Sequence, residues 1–183
     1  MHIGLSMKQH SGQKHLVLEK VTLNYVATED RISMQAQVKE GEPMTFWLTL
    51  RLCRELVRAF VGYLDSHVAT AKGGGKSVLQ TYYQEEAMVR KTRTASVDAS
   101  ASTLAPVLVK EVSLRSNADA LVMRLPMPDG TMAAMPLKAI EARQLLQILH
   151  VQFKKADWPL DIWPAWMSDS SKVDALGGKG PLH

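Results

Sequence analysis

Basic side chains are grouped in this sequence where they could neutralise the phosphates of a nucleic acid. Arg51, Arg54 and Arg58 are spaced three and four residues apart, which places them along one side of a helix. The second group comprises Arg90, Lys91 and Arg93. Phosphate neutralisation contributes much of nucleic-acid affinity, so these six residues are candidate contacts for a single strand. A solvated helix face is the simpler interpretation, and the formal net charge of only +4 favours it.

Three tryptophans, Trp158, Trp163 and Trp166, lie within nine residues and are separated by prolines. Each indole removes roughly 150–250 Å² of surface from water when it is buried, so this segment is expected to pack against something. It could fold back on its own chain as an internal latch. Alternatively it could anchor a protein partner, with Trp158, Ile162, Trp163 and Trp166 as the contact residues.

The residue types that perform catalysis or bind metals form no recognisable constellation. Gly75-Lys76-Ser77 resembles the end of a phosphate-binding loop, but Thr70 stands where that motif requires glycine. The six histidines show no pair at metal-ligand spacing with a third ligand nearby. Cys53 lies beside the apolar row of a predicted helix, where it is expected to be a small buried hydrophobe. The sequence therefore predicts no catalytic residue, no metal site and no cofactor.

The composition is that of one globular domain or two small ones. The chain has 183 residues, of which 46% are hydrophobic and 22% charged. No apolar run approaches the ~20 residues that span a bilayer, and Met1–Lys20 lacks the apolar core of a signal peptide. We therefore expect a cytoplasmic protein without membrane association. The single cysteine allows no intrachain disulfide.

Alternating apolar residues predict three strands followed by a helix in the first part of the chain. The strands are predicted at 15–27, 32–39 and 44–48, and the helix at 50–67. Thr49 is expected to cap this helix, and a break in the alternation at Glu19-Lys20 indicates a bulge. The same order is predicted again later, with strands at 107–115, 120–127 and 132–137 and a helix at 138–156.

These two parts are similar residue by residue. Residues 31–65 align with 120–154 at a constant offset of 89. The matched positions are mostly apolar or turn residues, and Arg54 with Arg143 is the clear match among the basic ones. One such unit leaves a sheet edge and part of a helix uncovered, so two copies are expected to pack together. The sequence predicts an α+β fold of tandem duplicated β-β-β-α units about a pseudo-two-fold axis, with antiparallel sheets and two long amphipathic helices.

The segments around the two units, 15–67 and 106–156, differ in composition. Residues 1–14 are predicted to be a loose end, and the chain after the tryptophan segment, which begins at 157, to be a disordered tail reaching 183. Between the units, 68–105 begins with a flexible glycine break. A short helix is then predicted over Ser77–Lys91, with four apolar residues turned inward, namely Val78, Leu79, Tyr82 and Val89. The remaining residues, 92–105, are rich in Ser, Thr and Ala and predict a mobile linker.

The order of elements resembles the topology of Whirly and Pur-type domains, which also use tandem sheet-then-helix units. That resemblance implies single-stranded nucleic-acid binding through sheet faces and basic residues, and this is the alternative hypothesis. The main hypothesis is a non-enzymatic binding protein: a scaffold, adaptor or assembly subunit with a protein partner. Because a sheet of this kind has edges that must be covered, a homodimer is also expected to be feasible.

Overall fold

The computed structural model describes residues 14–68, 75–116 and 120–167. The strands are β1 His15–Val26, β2 Arg31–Val38, β3 Met44–Leu48, β4 Val107–Leu108, β5 Ser113–Ser116, β6 Leu121–Pro126 and β7 Met132–Leu137. The helices are α1 Leu50–His67, α2 Gly75–Val89 and α3 Ala139–Lys155. The strands and helices predicted in both parts are present, although the strand predicted at 107–115 is divided into β4 and β5. The tail predicted after Met167 and nearly all of the loose start predicted at 1–14 lie outside the described residues. Of the glycine break predicted at 72–76, Gly75 and Lys76 are described and begin α2, so the helix starts earlier than predicted.

The seven strands form one mixed sheet, in the order β4-β3-β2-β1-β7-β6-β5. Neighbours are antiparallel within β1–β2–β3 and within β5–β6–β7. Two parallel pairs join these halves: His15–Val17 of β1 lies beside Met132–Ala134 of β7, and β4 lies beside β3. The prediction of antiparallel sheets is therefore right within each half and wrong at the junctions. Alternation along a sequence marks a strand but not its partner or direction.

Residues 107–116 reach both edges of this sheet. β4 pairs with β3 and β5 pairs with β6, yet only residues 109–112 separate them. An extended chain spans at most ~18 Å over that connection. In a flat sheet the outermost of seven strands would lie ~29 Å apart. The sheet must therefore curl until its two edges approach each other.

A bulge in β1 allows this strand to pair with strands of both halves of the sheet. The β1–β2 register shifts between Leu18 and Lys20, at the predicted position. His15–Val17 pair with β7, whereas the residues from Leu18 onward pair with β2. Because a bulge bends and twists its strand, β1 can leave one partner and join the next.

One face of the curled sheet packs with the two long helices to form the core. In β2 and β6 alternate side chains such as Ile32, Met34, Leu121 and Met123 are buried. Helix α1 contacts β5 and helix α3 contacts β1, so each long helix packs against a strand of the other half. The fully buried phenylalanines are Phe46, Phe60 and Phe153. No helix in the described ranges is both long and apolar enough to cross a bilayer.

The ends of these elements follow local sequence signals. Thr49 Oγ1 accepts a hydrogen bond from the Leu52 N–H at 3.4 Å, which confirms the predicted helix cap. At the start of α3, the Glu141 carboxylate accepts from the Lys138 N–H at 2.7 Å instead. Gly130 takes φ +82° in the hairpin between β6 and β7, a conformation that favours glycine.

Residues 92–105, which we call the strap, lie across the outer face of β1–β2–β3 without regular secondary structure. Val97 and Ala99 are buried there. The strap bonds are Lys20 Nζ to the Ala95 carbonyl, Val97 N to Thr22 Oγ1 (2.8 Å), Ala99 N to Gln35 Oε1 (3.2 Å) and Thr103 N to Glu42 Oε2 (2.7 Å). The interpretation of this segment as a mobile linker is thus corrected, because backbone N–H groups that composition does not reveal bind side-chain oxygens on the sheet.

Candidate interaction surfaces

The tryptophan segment folds back onto α3 and β1. Trp158, Trp163 and Trp166 are each more than nine-tenths buried. Trp158 meets the Phe153 ring edge-on with 5.1 Å between centroids, and Trp163 meets the same ring at 5.2 Å. Trp158 also contacts Tyr25 at 5.6 Å. In this arrangement the indoles belong to the core of their own chain, as in the internal latch.

Polar contacts fasten the same segment at two further points. Arg54 of α1 donates two hydrogen bonds of 2.7 Å to the carboxylate of Asp161, and these bonds lower the pKa of Asp161. The Trp158 indole N–H donates to Asp30 Oδ1 at 3.2 Å. Ile162, the fourth predicted partner contact, is partly buried against the core. The segment therefore ties α1, α3 and the β1–β2 turn together.

A buried arginine holds α2 against α3. Arg143 is 5% exposed, and its guanidinium donates to the Gln80 carbonyl at 3.3 Å and to the Gln80 side-chain oxygen. It also lies 5.5 Å from the ring centroids of both Tyr83 and Trp166. Gln84 donates to the Arg143 carbonyl at 3.2 Å. Burial lowers the pKa of Arg143 to about 10, and no described carboxylate forms an ion pair with it.

Arg54 and Arg143 occupy the same position in their helices. Each is the fifth residue, because α1 begins at Leu50 and α3 begins at Ala139. Arg54 fastens the tryptophan segment, whereas Arg143 fastens α2. The matched arginines thus hold the two segments that lie outside the predicted repeat. The sequence indicated the side of the helix on which each arginine lies, but it did not indicate which segment packs against that side.

The six predicted nucleic-acid contacts are only partly available. Arg54 is bound to Asp161, Arg51 pairs with Glu55 at 2.6 Å, and Arg90 pairs with Glu86 at 2.7 Å. The other three, Arg58, Lys91 and Arg93, have no ion-pair partner among the residues described. The set belongs to two different regions, α1 and the chain that follows α2.

Helix α2 buries two glutamines and leaves three of its large apolar residues exposed. Its buried residues are Gln80, Gln84 and Ala87. Val78 is 69% exposed, Tyr82 59% and Val89 87%, and their spacing places them on one side, which we call the outer stripe. The prediction that these three face inward is wrong, while Leu79 is partly buried. The Gln144 side-chain amide donates to the Ala87 carbonyl at 2.9 Å. Because Arg143 and Gln144 of α3 need hydrogen-bond partners, the side of α2 that carries the glutamines faces α3.

Two clefts flank the docked α2. One of about 350 Å³ is lined by His67, Glu86 and Arg90 together with residues at the start of α3. The other, of about 440 Å³, lies between β1, β7, α3 and the strap, and includes Lys20 and Lys91. No described serine or cysteine lines either cleft, although Ser66 Oγ lies 3.1 Å from Nδ1 of His67. The described ranges contain no group of three side chains placed to bind a metal.

Cys53 is fully buried, as its place beside the apolar helix row predicted. Burial raises the pKa of its thiol to about 12. Because the thiolate is the reactive form, this cysteine is a packing residue of α1 at neutral pH.

His150 is buried beneath the tryptophan segment. Its ring centroid lies 4.7 Å from that of Trp163, and neither His150 Nδ1 nor Trp163 Nε1 has a hydrogen-bond partner among the described residues. Burial, with a smaller effect of the Lys154 charge, lowers the pKa of His150 to about 4. Protonation at this site therefore opposes the packing of the segment.

Comparisons with protein-family models, curated proteins and solved structures find no match for this chain. Its own geometry combines an exposed apolar stripe on a docked helix with two segments fastened by matched arginines.

Replacing Arg143 by alanine should destabilise the fold by about 2–4 kcal/mol, because it leaves the buried side-chain oxygen of Gln80 without a donor and removes two ring contacts. Chemical denaturation followed by circular dichroism measures the change. Arg58→Ala is the matched control and should stay within ~0.5 kcal/mol. Equal effects of the two substitutions would contradict the role assigned to Arg143.

Acidification should loosen the tryptophan segment through His150. The unfolded chain takes up a proton near pH 6.5, whereas the folded chain does so only at about 4. The stability contribution is therefore complete above pH 6.5 and falls by about 3 kcal/mol as the pH decreases through 4. Denaturation curves at several pH values should show a shallower loss in His150→Phe than in the unsubstituted chain. Parallel curves for the two proteins would reject this assignment.

Proposed function

We propose that this chain is a non-enzymatic binding protein, a scaffold, adaptor or assembly subunit, whose protein partner covers the outer stripe of α2. The observation that carries the proposal is the inverted orientation of this helix. A surface helix ordinarily buries its apolar side and exposes its polar side. Here Val78, Tyr82 and Val89 remain in water while glutamines are buried. Exposed apolar side chains that share one side are typical of protein contact surfaces.

The way in which α2 is held supports this use. Hydrogen bonds from Arg143 and Gln144 fix its polar side, so the outer stripe is presented in a defined orientation. Preorganisation of this kind reduces the entropy cost of binding. The tryptophan segment supports α2 from the side of the core, since Trp166 packs against the Arg143 guanidinium that binds α2. In this proposal the tryptophans support the binding helix, and they are not themselves the anchor.

The stripe alone is small beside the ~800 Å² per partner of a standard interface. Three side chains supply only a fraction of that area, so a homodimer through α2 alone is not the favoured form. The proposed partner extends its contact over neighbouring surfaces, including the cleft lined by Glu86 and Arg90.

We further propose that the body carrying α2 arose by tandem duplication about a pseudo-two-fold axis. The offset of 89 residues relates β2 to β6, β3 to β7 and α1 to α3. The two parallel pairs support the idea, because each joins the first strand of one half to the third strand of the other. The binding function then resides in α2, which lies between the copies.

Replacing Val89 by aspartate should abolish partner binding without unfolding the chain, since this side chain is 87% exposed. A photoreactive residue placed at position 82 should cross-link the protein to its partner. We expect this cross-link to be lost when Val89→Asp is introduced. The matched control is Val151→Asp on α3, also an exposed valine at 40%, which should retain the cross-link. Retention of the cross-link in both variants, with unchanged melting temperatures, would reject the stripe as the contact.

Single-stranded nucleic-acid binding is a second candidate function, and one observation favours it. Arg115 and Arg124 lie on the outer face of β5 and β6 and form no ion pair with any residue in the described ranges. Fluorescence anisotropy with a labelled oligo-dT should then show binding at ~50 mM salt that weakens steeply by ~200 mM. Arg124→Gln should reduce that salt dependence. No binding at the lower salt would reject this function.

A further inference from the structure

The outer faces of the two halves of the sheet are covered differently. On β1–β2–β3 the strap lies over the outward side chains, which include Thr22 and Gln35 opposite each other in register. On β5–β6–β7 no hydrogen bond from another described segment reaches the outward side chains. We call this second surface the open face.

The strap shows how an extended segment binds such a surface. Its backbone N–H groups at Val97 and Ala99 donate to Thr22 Oγ1 and Gln35 Oε1, at 2.8 and 3.2 Å. These two alternate residues are themselves buried, at 7% and 8% exposure. Since side chains in an extended chain alternate, every second residue can face the sheet while the others face solvent.

The open face has the same layout with different chemistry. Ser113 pairs with Arg124 and Arg115 pairs with Val122, so these four side chains point outward together. Arg124 lies beside Ala134. Other outward residues of this face include Pro136 and Val17, of which Val17 is 39% exposed. Small apolar side chains thus surround two arginines.

The charge of the open face determines which kind of peptide segment can bind to it. Thr22 and Gln35 offer oxygens to the N–H groups of the strap, whereas Arg115 and Arg124 offer only donors. Neither guanidinium group has a hydrogen bond or an ion pair within residues 14–68, 75–116 and 120–167. Guanidinium groups bind carboxylates in bidentate geometry, so acidic side chains complement this surface.

We infer that the open face binds an extended acidic peptide of a partner protein, with alternate residues on the apolar side chains and carboxylates on Arg115 and Arg124. This inference deepens the proposed function by adding a second contact surface, and it rests on that function. A peptide is favoured over a single-stranded nucleic acid because the outward residues named for this face include no aromatic ring. Base stacking on such rings supplies much of single-strand affinity.

The test uses the full chain and two labelled decapeptides, one of alternating Val and Glu and one of alternating Val and Lys. We expect the Glu peptide to bind at least about tenfold more tightly at low salt, as measured by fluorescence anisotropy. Amide chemical shifts in the NMR spectrum should change along β5, β6 and β7. Arg124→Glu should reverse the preference between the peptides, and Arg124→Gln should reduce it.

Arg58→Glu on α1 is the matched control and should leave the preference unchanged, and a thermal melt of each variant verifies folding. Oligo-dT of ten nucleotides is titrated in parallel. The inference is overturned if the Glu peptide does not bind, if its shifts lie outside the open face, or if oligo-dT binds there more tightly. Val89→Asp should leave peptide binding intact, so a failure at α2 and a failure here can be distinguished.

Discussion

The closure of the sheet is the constraint on which the rest of this structure depends. Three strands and one helix cannot cover their own edges, and unpaired edge groups are costly or invite aggregation. The halves meet through two short parallel pairs, His15–Val17 with Met132–Ala134 and Val107–Leu108 with Phe46–Trp47. Because the sheet then curls, α1 packs on β5 and α3 on β1. Neither half has a complete core without the other.

The tryptophan segment and α2 are attached to this closed body by polar groups. Arg54 and Arg143 stand at the same helical position, but one binds the tryptophan segment and the other binds α2. An exposed arginine–carboxylate pair contributes little to stability, whereas a buried guanidinium is costly to leave unpaired. The two arginines therefore share a position but contribute differently to the free energy of unfolding. Loss of the partners of Arg143 is expected to destabilise the fold more than loss of the Arg54–Asp161 pair.

The same polar attachments leave two surfaces that no other described segment covers. With Gln80 and Gln84 buried on the core side of α2, the outer stripe of Val78, Tyr82 and Val89 faces solvent. Covering β1–β2–β3 with the strap leaves β5–β6–β7 without a corresponding layer. Both surfaces are rigidly supported from behind, one by α3 and the other by the sheet, which is the condition under which binding surfaces are most effective.

Local periodicity in the sequence was sufficient to predict most strands, both long helices, the Thr49 cap, the bulge in β1 and the burial of Cys53, since each depends on neighbouring residues. It could not predict the parallel pairs, because strand direction depends on partners far along the chain, such as His15 with Met132 and Phe46 with Val107. It predicted the wrong side of α2, because hydrophobic patterning assumes an apolar neighbour and Arg143 made that neighbour polar. The strap contacts and the Arg54–Asp161 pair were hidden because they join residues that are distant along the chain, whereas Arg51 with Glu55 and Arg90 with Glu86 are local pairs. The sequence by itself determined the elements and their apolar faces, and only the tertiary structure decided which polar groups meet, because hydrogen bonds between distant residues leave no local pattern.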